Sequence, residues 1–315
     1  MAQRIAVVGS NNVDLITYVN RIPGPGETLE APKFQIGNGG KGANQAVAAA
    51  RLGADVLMVS KVGDDLFADS TVANLAAAGI DVRHVGRAAG VSSGVAPIFV
   101  EPSGENRILI VKGANDVLSP ADIDAAAEDL SRCRLILLQL EIAIETVYYT
   151  LDFAARHGIE VLLNPAPALP DLDPAKVSLA TFLVPNESEL AILSGLPTGT
   201  EDEVEAAARA LIAKGNRTVI VTMGARGALL VTADGKVHVP SVPVTPKDTT
   251  GAGDAFIGAF ARYYVDGFDP VAAVQRAVRY AADSITRLGT QSSYATEAAF
   301  EDLLTREGAL ADAEG

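Results

Sequence analysis

The most informative stretch of the sequence is Asp248-Thr249-Thr250-Gly251-Ala252-Gly253-Asp254, a loop of small residues leading into an apolar, helix-like run at residues 255–261. The first turn of a helix leaves backbone N–H groups without intrahelical partners, at the positive end of the helix dipole. Such an end binds phosphate without side-chain help. Asp254 adds a carboxylate that can accept a hydroxyl proton. The combination suits phosphoryl transfer to an alcohol, although a glycine-rich turn before an acidic helix start explains this stretch alone equally well.

The composition of the chain restricts its possible functions. The 315 residues carry a formal net charge of -14, which argues against nucleic acid as a partner. No apolar run has the length of a membrane span, and no signal-peptide pattern is present, so we expect no membrane partner. Cys133 is the only cysteine, which excludes an internal disulfide and fits a cytoplasmic location. Three widely separated histidines make a zinc site unlikely by spacing.

Short apolar runs alternate with helical patterns along most of the chain. The run Arg4-Ile5-Ala6-Val7-Val8-Gly9 is typical of a buried parallel strand that a glycine ends. Near the other end of the chain, residues 228–231 and 236–239 flank Asp234-Gly235, which predicts a hairpin. The alternation predicts an α/β fold with buried parallel strands.

Two strand-rich segments interrupt this alternation. Residues 13–37 contain turn signals, and residues 92–112 predict a hairpin with its turn at residues 102–104. Both segments adjoin candidate ligand residues. We therefore expect them to form a small β-sheet lid over the cleft of a single domain that spans residues 1–315.

Further candidate ligand residues lie in three segments. Ser10-Asn11-Asn12-Val13-Asp14 and Glu141 follow predicted strands, where α/β sheets bind ligands. Gly37-Asn38-Gly39-Gly40-Lys41-Gly42-Ala43-Asn44-Gln45 precedes an alanine-rich helix, and its glycines allow close approach of a ligand. This segment lacks the spacing of a P-loop. Taken singly, the first segment is explained equally well as an Asx-rich turn.

Taken together, these segments resemble the ribokinase-like branch of the PfkB carbohydrate kinase family across nearly the whole chain. Two family signatures carry the resemblance: the glycine-rich segment from Gly39 to Gln45, and the stretch from Asp248 to Asp254. The resemblance implies a three-layer α/β/α domain with a β-sheet lid and an ATP-dependent sugar kinase activity. The implied reaction is transfer of the γ-phosphoryl group of ATP to a primary hydroxyl. The acceptor that the resemblance favours most is D-ribose, which would become D-ribose 5-phosphate.

The resemblance also implies roles for individual residues. Asp254 is expected to be the catalytic base, and the backbone amides of Gly251, Ala252 and Gly253 are expected to hold the transferring phosphoryl group. The expected sugar-binding residues are Asn12, Asp14, Gly40, Lys41, Asn44 and Glu141. The expected nucleotide-binding residues are Asn186, Thr222, Gly224, Gly227 and Gly253.

Two metal ions and a homodimer are implied in the same way. Asn186 and Glu189 form an N-x-x-E motif that helps to place Mg²⁺ near the nucleotide phosphates, with Glu189 acting through water. A monovalent cation, K⁺, is expected beside the phosphate site. Its implied positions are Asp248, Thr250, Ser284, Arg287, Gly289 and Ser293. Members of the family commonly pair two lids, so we expect a homodimer through the lid.

Two alternatives remain open at this stage. The first keeps the chemistry and changes the acceptor to another pentose, a keto sugar, a sugar acid or a nucleoside. A nucleoside would require an aromatic or apolar clamp, which a chain with 5% aromatic residues and no tryptophan disfavours. The second is a catalytically silent sugar-binding or regulatory protein on a kinase fold.

Overall fold

The computed structural model describes residues 3–102 and 106–313, with side chains up to residue 306. Ser103 and Gly104 of the expected turn lie outside the described residues. The strands are β1 Ile5–Val8, β2 Asn12–Tyr18, β3 Lys33–Gly39, β4 Val56–Val62, β5 Asp81–Arg87, β6 Val95–Val100, β7 Asn106–Ile108, β8 Leu135–Leu138, β9 Glu160–Leu163, β10 Phe182–Leu183, β11 Thr218–Thr222, β12 Ala228–Thr232 and β13 Lys236–Val239.

Helices cover both faces of the larger sheet. They are α1 Lys41–Arg51, α2 Ala68–Ala77, α3 Pro120–Ala125, α4 Ala127–Leu130, α5 Ile144–His157, α6 Pro174–Val177, α7 Glu187–Ser194, α8 Glu201–Ala213, α9 Ala252–Val265, α10 Pro270–Ser284 and α11 Glu297–Ala313. Short 3-10 turns occur at Gly113–Val117, Gly224–Arg226 and Gln291–Ser293. Among the described residues, no helix is both long and apolar enough to cross a membrane.

The larger sheet has nine strands in the order β13-β12-β11-β10-β9-β8-β1-β4-β5. The strands from β11 to β5 pair in parallel, which requires a crossover between successive neighbours. At the opposite edge, β12 and β13 add in antiparallel fashion, which confirms the hairpin predicted across Asp234-Gly235. The sheet is therefore mostly parallel, as the alternating pattern predicts.

Each face of this sheet has its own apolar core. Side chains alternate along a strand, so Ile5 and Val7 pack towards α1, α9 and α10, whereas Ala6 and Val8 pack towards α5 and α8. All four residues of β1 are fully buried, because helices cover the strand on both sides. The predicted three-layer α/β/α arrangement is confirmed.

A separate four-stranded sheet has the order β3-β2-β6-β7, and we call it the small sheet. Its pairs β2–β3 and β6–β7 are antiparallel, and β2–β6 is parallel. It consists of the two segments predicted to interrupt the α/β alternation. Large apolar side chains on this unit face solvent, with Phe34 57%, Ile36 63% and Leu109 62% exposed.

One strand of the larger sheet is not predicted from the sequence. Strand β5 forms the edge beside β4, and most of its residues are half-buried or exposed. Its sequence, Asp81-Val82-Arg83-His84-Val85-Gly86-Arg87, is too polar to resemble the other parallel strands. An edge strand tolerates this composition because only one of its sides pairs with a neighbour.

Candidate active site

A cleft of about 960 Å³ opens at the carboxyl ends of the parallel strands. Asn164 and Val184 line it just after β9 and β10, and Thr222 lines it as the last residue of β11. The loop before α9 and one side of α10 form the remaining walls. Parallel α/β sheets bind ligands at this edge. The cleft therefore lies where the sequence predicts the site.

The start of α9 forms one wall of the cleft. Gly251 precedes the helix with a φ of 77°, and a Cβ there would lie 2.3 Å from Cγ2 of Thr290, so only glycine fits. The Ala252 N–H donates to the Thr249 carbonyl at a long 3.3 Å. Within the described residues, the Gly251 and Gly253 N–H groups donate to no protein acceptor. Two of the three expected amides are thus fully available to an anion in the cleft.

Asp254 lies in the first turn of α9 and is only 8% exposed. Its carboxylate oxygens accept hydrogen bonds from Asn44 Nδ2 at 2.9 Å and from Gln45 Nε2 at 3.0 Å. Burial raises the pKa of Asp254, while the charge of Lys41 and the two amide hydrogen bonds act in the opposite direction. Asp254 lines the cleft beside the N–H group of Gly253. The arrangement presents a buried proton acceptor next to an anion site.

A close helix contact brings Asp254 to its partners. Gly258 lies one turn further along α9, and a Cβ there would be 2.5 Å from Cβ of Ala48 and 2.7 Å from the Gln45 carbonyl oxygen on α1. The absence of a side chain lets α9 approach α1 at this point. Asn44 and Gln45, in the same part of α1, therefore reach the carboxylate of Asp254.

The residues expected to bind a sugar surround the N-terminal end of α1. Gly40 precedes this helix with a φ of 86°, and a Cβ there would lie 2.8 Å from the Asn12 nitrogen. Glu141 accepts hydrogen bonds from the Lys41 N–H at 2.9 Å and from the Ser10 hydroxyl at 2.6 Å. Asn12 accepts one from Asn115 Nδ2 at 2.8 Å. The structure thus brings together residues of β2 and α1 and of the loops that follow β1 and β8.

Charges are concentrated around Lys41. Burial alone would lower the pKa of its ammonium group, but the carboxylates of Asp254, Glu141 and Glu189 hold that pKa above its ordinary value. Asp14 lies on the same side, where burial and the charge of Glu141 raise the pKa of its carboxyl group to about 6. Of the six residues expected to bind sugar, only Lys41 lines the described cleft. The others lie behind it, and together they combine one cation with several hydrogen-bond acceptors, which suits a ligand rich in hydroxyl groups.

Asn186 and Glu189 interlock at the start of α7. Glu189 accepts from both the N–H and the side-chain amide of Asn186 at 2.9 Å, and its own N–H donates back to Asn186 Oδ1 at 2.8 Å. Both residues line the cleft. Burial raises the pKa of Glu189. A carboxylate held in this way, with lone pairs to spare, fits Mg²⁺ bound through water.

The remaining nucleotide-side predictions also fall on the cleft, because Thr222, Gly224 and Gly227 all line it. Gly227 has a φ of 89°, and a Cβ there would overlap the Val239 carbonyl oxygen at 2.1 Å. The far end of this side is apolar. It is formed by Val242, Pro243, Val244, Pro246, Val278, Ala281 and Ile285. Such a slot accommodates a flat aromatic ring system.

The positions expected for a monovalent cation lie in the loop before α9 and in the segment from the end of α10 to the 3-10 turn at Gln291–Ser293. Asp248 accepts from the N–H groups of Thr250 at 3.0 Å and Gly289 at 2.9 Å. Partial burial raises its pKa, but these hydrogen bonds outweigh that effect and lower it. The carbonyls of Ser284 and Ser293 accept from the N–H and Nε of Arg287 at 3.2 and 2.7 Å. This oxygen-rich set fits a monovalent cation, which would share two carbonyls with Arg287.

Three contacts made by the expected site residues were not predicted. Gln45 donates directly to Asp254, Gln291 donates to Asn44 at 3.0 Å, and the Tyr294 hydroxyl donates to the Gly251 carbonyl at 3.1 Å. Gln45 is adjacent to Asn44 in the glycine-rich segment, which was a usable signal. Nothing in the local sequence marks Gln291 or Tyr294.

The fold and this cleft define a sugar kinase. The chain matches the pfkB family of carbohydrate kinases over residues 2–297 and belongs to that family. The family assignment made from the two sequence signatures is confirmed, as is the ribokinase-like fold. The expected enzyme class, an ATP-dependent sugar kinase, is confirmed with it.

Individual relatives are similar over almost their full length. A deoxyribokinase from Salmonella typhimurium is 58% identical over 301 residues, which are 96% of this chain and 98% of the relative. A ribokinase from Mus musculus is 40% identical over 297 residues, which are 93% of this chain and 92% of the relative. The structure of Arabidopsis thaliana ribokinase complexed with ribose and ATP has a TM-score of 0.91 at 29% identity, covering 96% of this chain and 99% of that one.

Proposed function

We propose that the chain transfers the γ-phosphoryl group of ATP to the primary hydroxyl of a pentose, with 2-deoxy-D-ribose as the preferred acceptor and D-ribose as the second candidate. The observation that carries the proposal is the buried carboxylate of Asp254 beside the available N–H groups of Gly251 and Gly253. Lys41 and apolar residues such as Val278 and Ile285 line the same cleft, which supports a sugar on one side and a nucleotide on the other.

The proposed reaction is an in-line displacement. The primary hydroxyl oxygen of the sugar attacks the γ-phosphorus, and the bond from that phosphorus to the β,γ-bridging oxygen breaks, releasing ADP. Asp254 takes the hydroxyl proton as the new bond forms. The N–H groups at the start of α9 stabilise the charge on the transferring group. Positioning and electrostatics therefore supply most of the rate enhancement.

The nucleotide would occupy the cleft between α7 and α10. Its base would pack against the apolar residues of the cleft, and its phosphates would lie near Gly224, Gly227 and Gly253, which line the same cleft. Mg²⁺, held through water by Glu189, would offset negative charge on the phosphates. Asn186 donates two hydrogen bonds to the Glu189 carboxylate, which would keep that carboxylate in place for such an ion.

The choice of acceptor rests on the relatives. The sequence signatures alone favour D-ribose, and the Mus musculus ribokinase at 40% identity agrees with it. The deoxyribokinase at 58% identity favours 2-deoxy-D-ribose instead. The two sugars differ by one hydroxyl group. A site built to pair with a hydroxyl rejects the analogue that lacks it far more strongly than a site without that pairing rejects the extra hydroxyl.

This asymmetry makes the acceptor test decisive. We expect kcat/KM for 2-deoxy-D-ribose to exceed that for D-ribose by up to about 10²-fold, with the phosphate on O5 of the product by ³¹P NMR. A preference for D-ribose of about 10³-fold or more would transfer the proposal to D-ribose. Other pentoses, a keto sugar, a sugar acid and a nucleoside complete the panel. Tight sugar binding without ATP turnover would instead support the silent binding protein.

The raised pKa of Asp14 leads to a prediction for sugar binding. Its carboxylate accepts sugar hydroxyls when ionised, and it is protonated as the pH falls through about 6. We therefore expect the KM for the sugar to rise below that pH, while the KM for ATP changes little. Initial rates at several pH values measure both constants. Asp14→Asn is the matched variant: its sugar KM should be high throughout, and a pH dependence identical to that of the parent would exclude Asp14 as the cause.

We propose that K⁺ binds at the two loops that contain Asp248 and Gly289, since their oxygen atoms suit a monovalent cation. The ion would fix the shape of the loop that precedes α9 without contacting the sugar. The acceptor panel is therefore run with KCl and with a tetramethylammonium salt of equal ionic strength. Equal rates in both salts would contradict a role for K⁺.

We also propose that the small sheet acts as a lid and joins two chains. Asn12 and Asp14 belong to it, so its movement would carry sugar-binding groups over the cleft. Its exposed apolar side chains, including Phe34 and Ile36, would be covered by the small sheet of a second copy. Sedimentation velocity tests this pairing: we expect a homodimer, and a single-chain mass at micromolar concentration would contradict it.

A further inference from the structure

Two chains of amide side chains converge on the carboxylate of Asp254. In the first, Asn74 on α2 donates to Gln291 Oε1 at 2.8 Å, and Gln291 Nε2 donates to Asn44 Oδ1 at 3.0 Å. Asn44 Nδ2 then donates to Asp254 at 2.9 Å. Three successive amides thus point their donors in one direction, towards the carboxylate.

The second chain reaches the other carboxylate oxygen. Gln139, just after β8, donates to Gln45 Oε1 at 2.7 Å, and Gln45 Nε2 donates to Asp254 Oδ1 at 3.0 Å. Gln45 and Gln139 are both fully buried, so bulk solvent does not reach these groups. Gln45 Nε2 also lies 3.3 Å from Asn164 Oδ1.

The carboxylate sets the direction of both chains. An ionised carboxyl group only accepts hydrogen bonds, whereas an amide carries a donor at one end and an acceptor at the other. Asp254 therefore selects the Nδ2 and Nε2 ends of Asn44 and Gln45, which leaves their oxygens to Gln291 and Gln139. Conversely, these outer glutamines hold the inner amides with their donors facing Asp254. Protonation of Asp254 would place its O–H against one of these donors.

We infer that Gln45 and Gln291 are positioning residues that hold Asp254 in its ionised, proton-accepting form and in a fixed orientation for the reaction. Gln45 acts by direct contact, and Gln291 acts through Asn44. Neither belongs to the expected sugar or nucleotide contacts. The inference depends on the proposed function in one respect, since it takes Asp254 to be the base.

The charges around Asp254 explain why such support is needed. Lys41 favours the ionised form, whereas Glu141 and Glu189 repel it and Tyr294 adds a neutral phenol on the α11 side. Burial opposes ionisation more than any of these, so the net effect is a raised pKa. Hydrogen bonds to the charged form counteract burial. Removing one of them is therefore expected to raise the pKa of Asp254 further.

The test is the pH dependence of phosphoryl transfer in Gln45→Met, which keeps side-chain length and removes the donor. Rapid-quench single-turnover rates at saturating sugar and ATP measure the chemical step directly. A general base is protonated, and the rate falls, as the pH drops through the pKa of the base. We therefore expect the acid limb of the pH–rate profile, where the rate falls with decreasing pH, to move to higher pH by about one unit. The rate would be about tenfold lower on the acid side and would recover towards the parent rate at high pH.

Two further variants complete the test. Gln291→Met should shift the limb in the same direction by a smaller amount, and it serves on its own if Gln45→Met does not fold. Asn216→Leu is the control, because Asn216 is a buried amide that donates to the Leu211 carbonyl outside the cleft. This control variant should lower the thermal stability and leave the acid limb of the pH–rate profile unchanged. A limb that does not move in either glutamine variant, or a rate reduced equally at every pH, would overturn the inference.

The outcomes separate this inference from the proposed function. Full turnover in Asp254→Asn would remove the base from the reaction and with it the proposed mechanism. Loss of turnover in Asp254→Asn, together with unshifted limbs in Gln45→Met and Gln291→Met, would leave the mechanism intact and refute only the positioning role.

Discussion

Asp254→Asn is expected to lower kcat by about 10²- to 10⁴-fold, the range for removal of a general base. An amide cannot take the hydroxyl proton, and every other feature of the cleft remains. The new side chain also offers only one acceptor to the two donors of Asn44 and Gln45, so one donor loses its partner. Initial rates of ADP release measure the loss, and calorimetric titration measures ATP binding, which should be retained.

The matched control for this variant is Glu141→Gln, which makes the same chemical change in a neighbouring carboxylate. Glu141 contacts Ser10 and the Lys41 N–H but does not bond to Asp254. We expect it to raise the sugar KM with a much smaller effect on kcat. Turnover near the parent level in Asp254→Asn, or an equal loss in both variants, would contradict the assignment of Asp254 as the base.

Gly251→Ala is expected to lower kcat on the order of 10²-fold, as for the loss of one donor to a developing negative charge. An alanine at this φ of 77° is strained, and its Cβ would meet Thr290 Cγ2 at 2.3 Å and the Tyr294 hydroxyl at 2.8 Å. Relief of these overlaps must move the start of α9, where the N–H groups of Gly251 and Gly253 are aligned. Steady-state kinetics with both substrates measure the effect.

Gly79→Ala separates the effect of backbone strain from the effect of steric overlap at the start of α9. Gly79 has a similar φ of 82°, but a Cβ there would meet no atom within 4 Å. It therefore reproduces the backbone strain, about 1–2 kcal/mol, without the steric overlap or the proximity to the cleft. We expect a lower melting temperature in both variants and reduced turnover only in Gly251→Ala. Parent-like turnover in Gly251→Ala would mean that the amides do not stabilise the reaction.

The layered fold was predictable because its signals are local. The apolar run that forms β1 and the turn signal between β12 and β13 can each be recognised from a few consecutive residues. Strand β5 was missed for the opposite reason. Its composition is set by an edge position beside β4, which depends on chain segments far from residues 81–87.

The candidate site was predictable only in part for a related reason. The glycine-rich segment and the stretch from Asp248 to Asp254 can be recognised in the sequence, because their backbone conformations need small residues. The two series of amide side chains that hold Asp254 have no such local signal. Gln45 and Gln139 are 94 positions apart, and Asn44 and Gln291 are 247 apart, so only the folded chain shows that they meet.

The contact between α1 and α9 has a consequence for how the enzyme is made. Asn44 and Asp254, which it joins, are 210 positions apart, and Gln291 lies further still towards the end of the chain. A ribosome must therefore add residue 254 before Asn44, Gln45 and the proposed base can meet. A chain that stops short of this residue lacks the Asp254 carboxylate, so no such fragment can contain the proposed site.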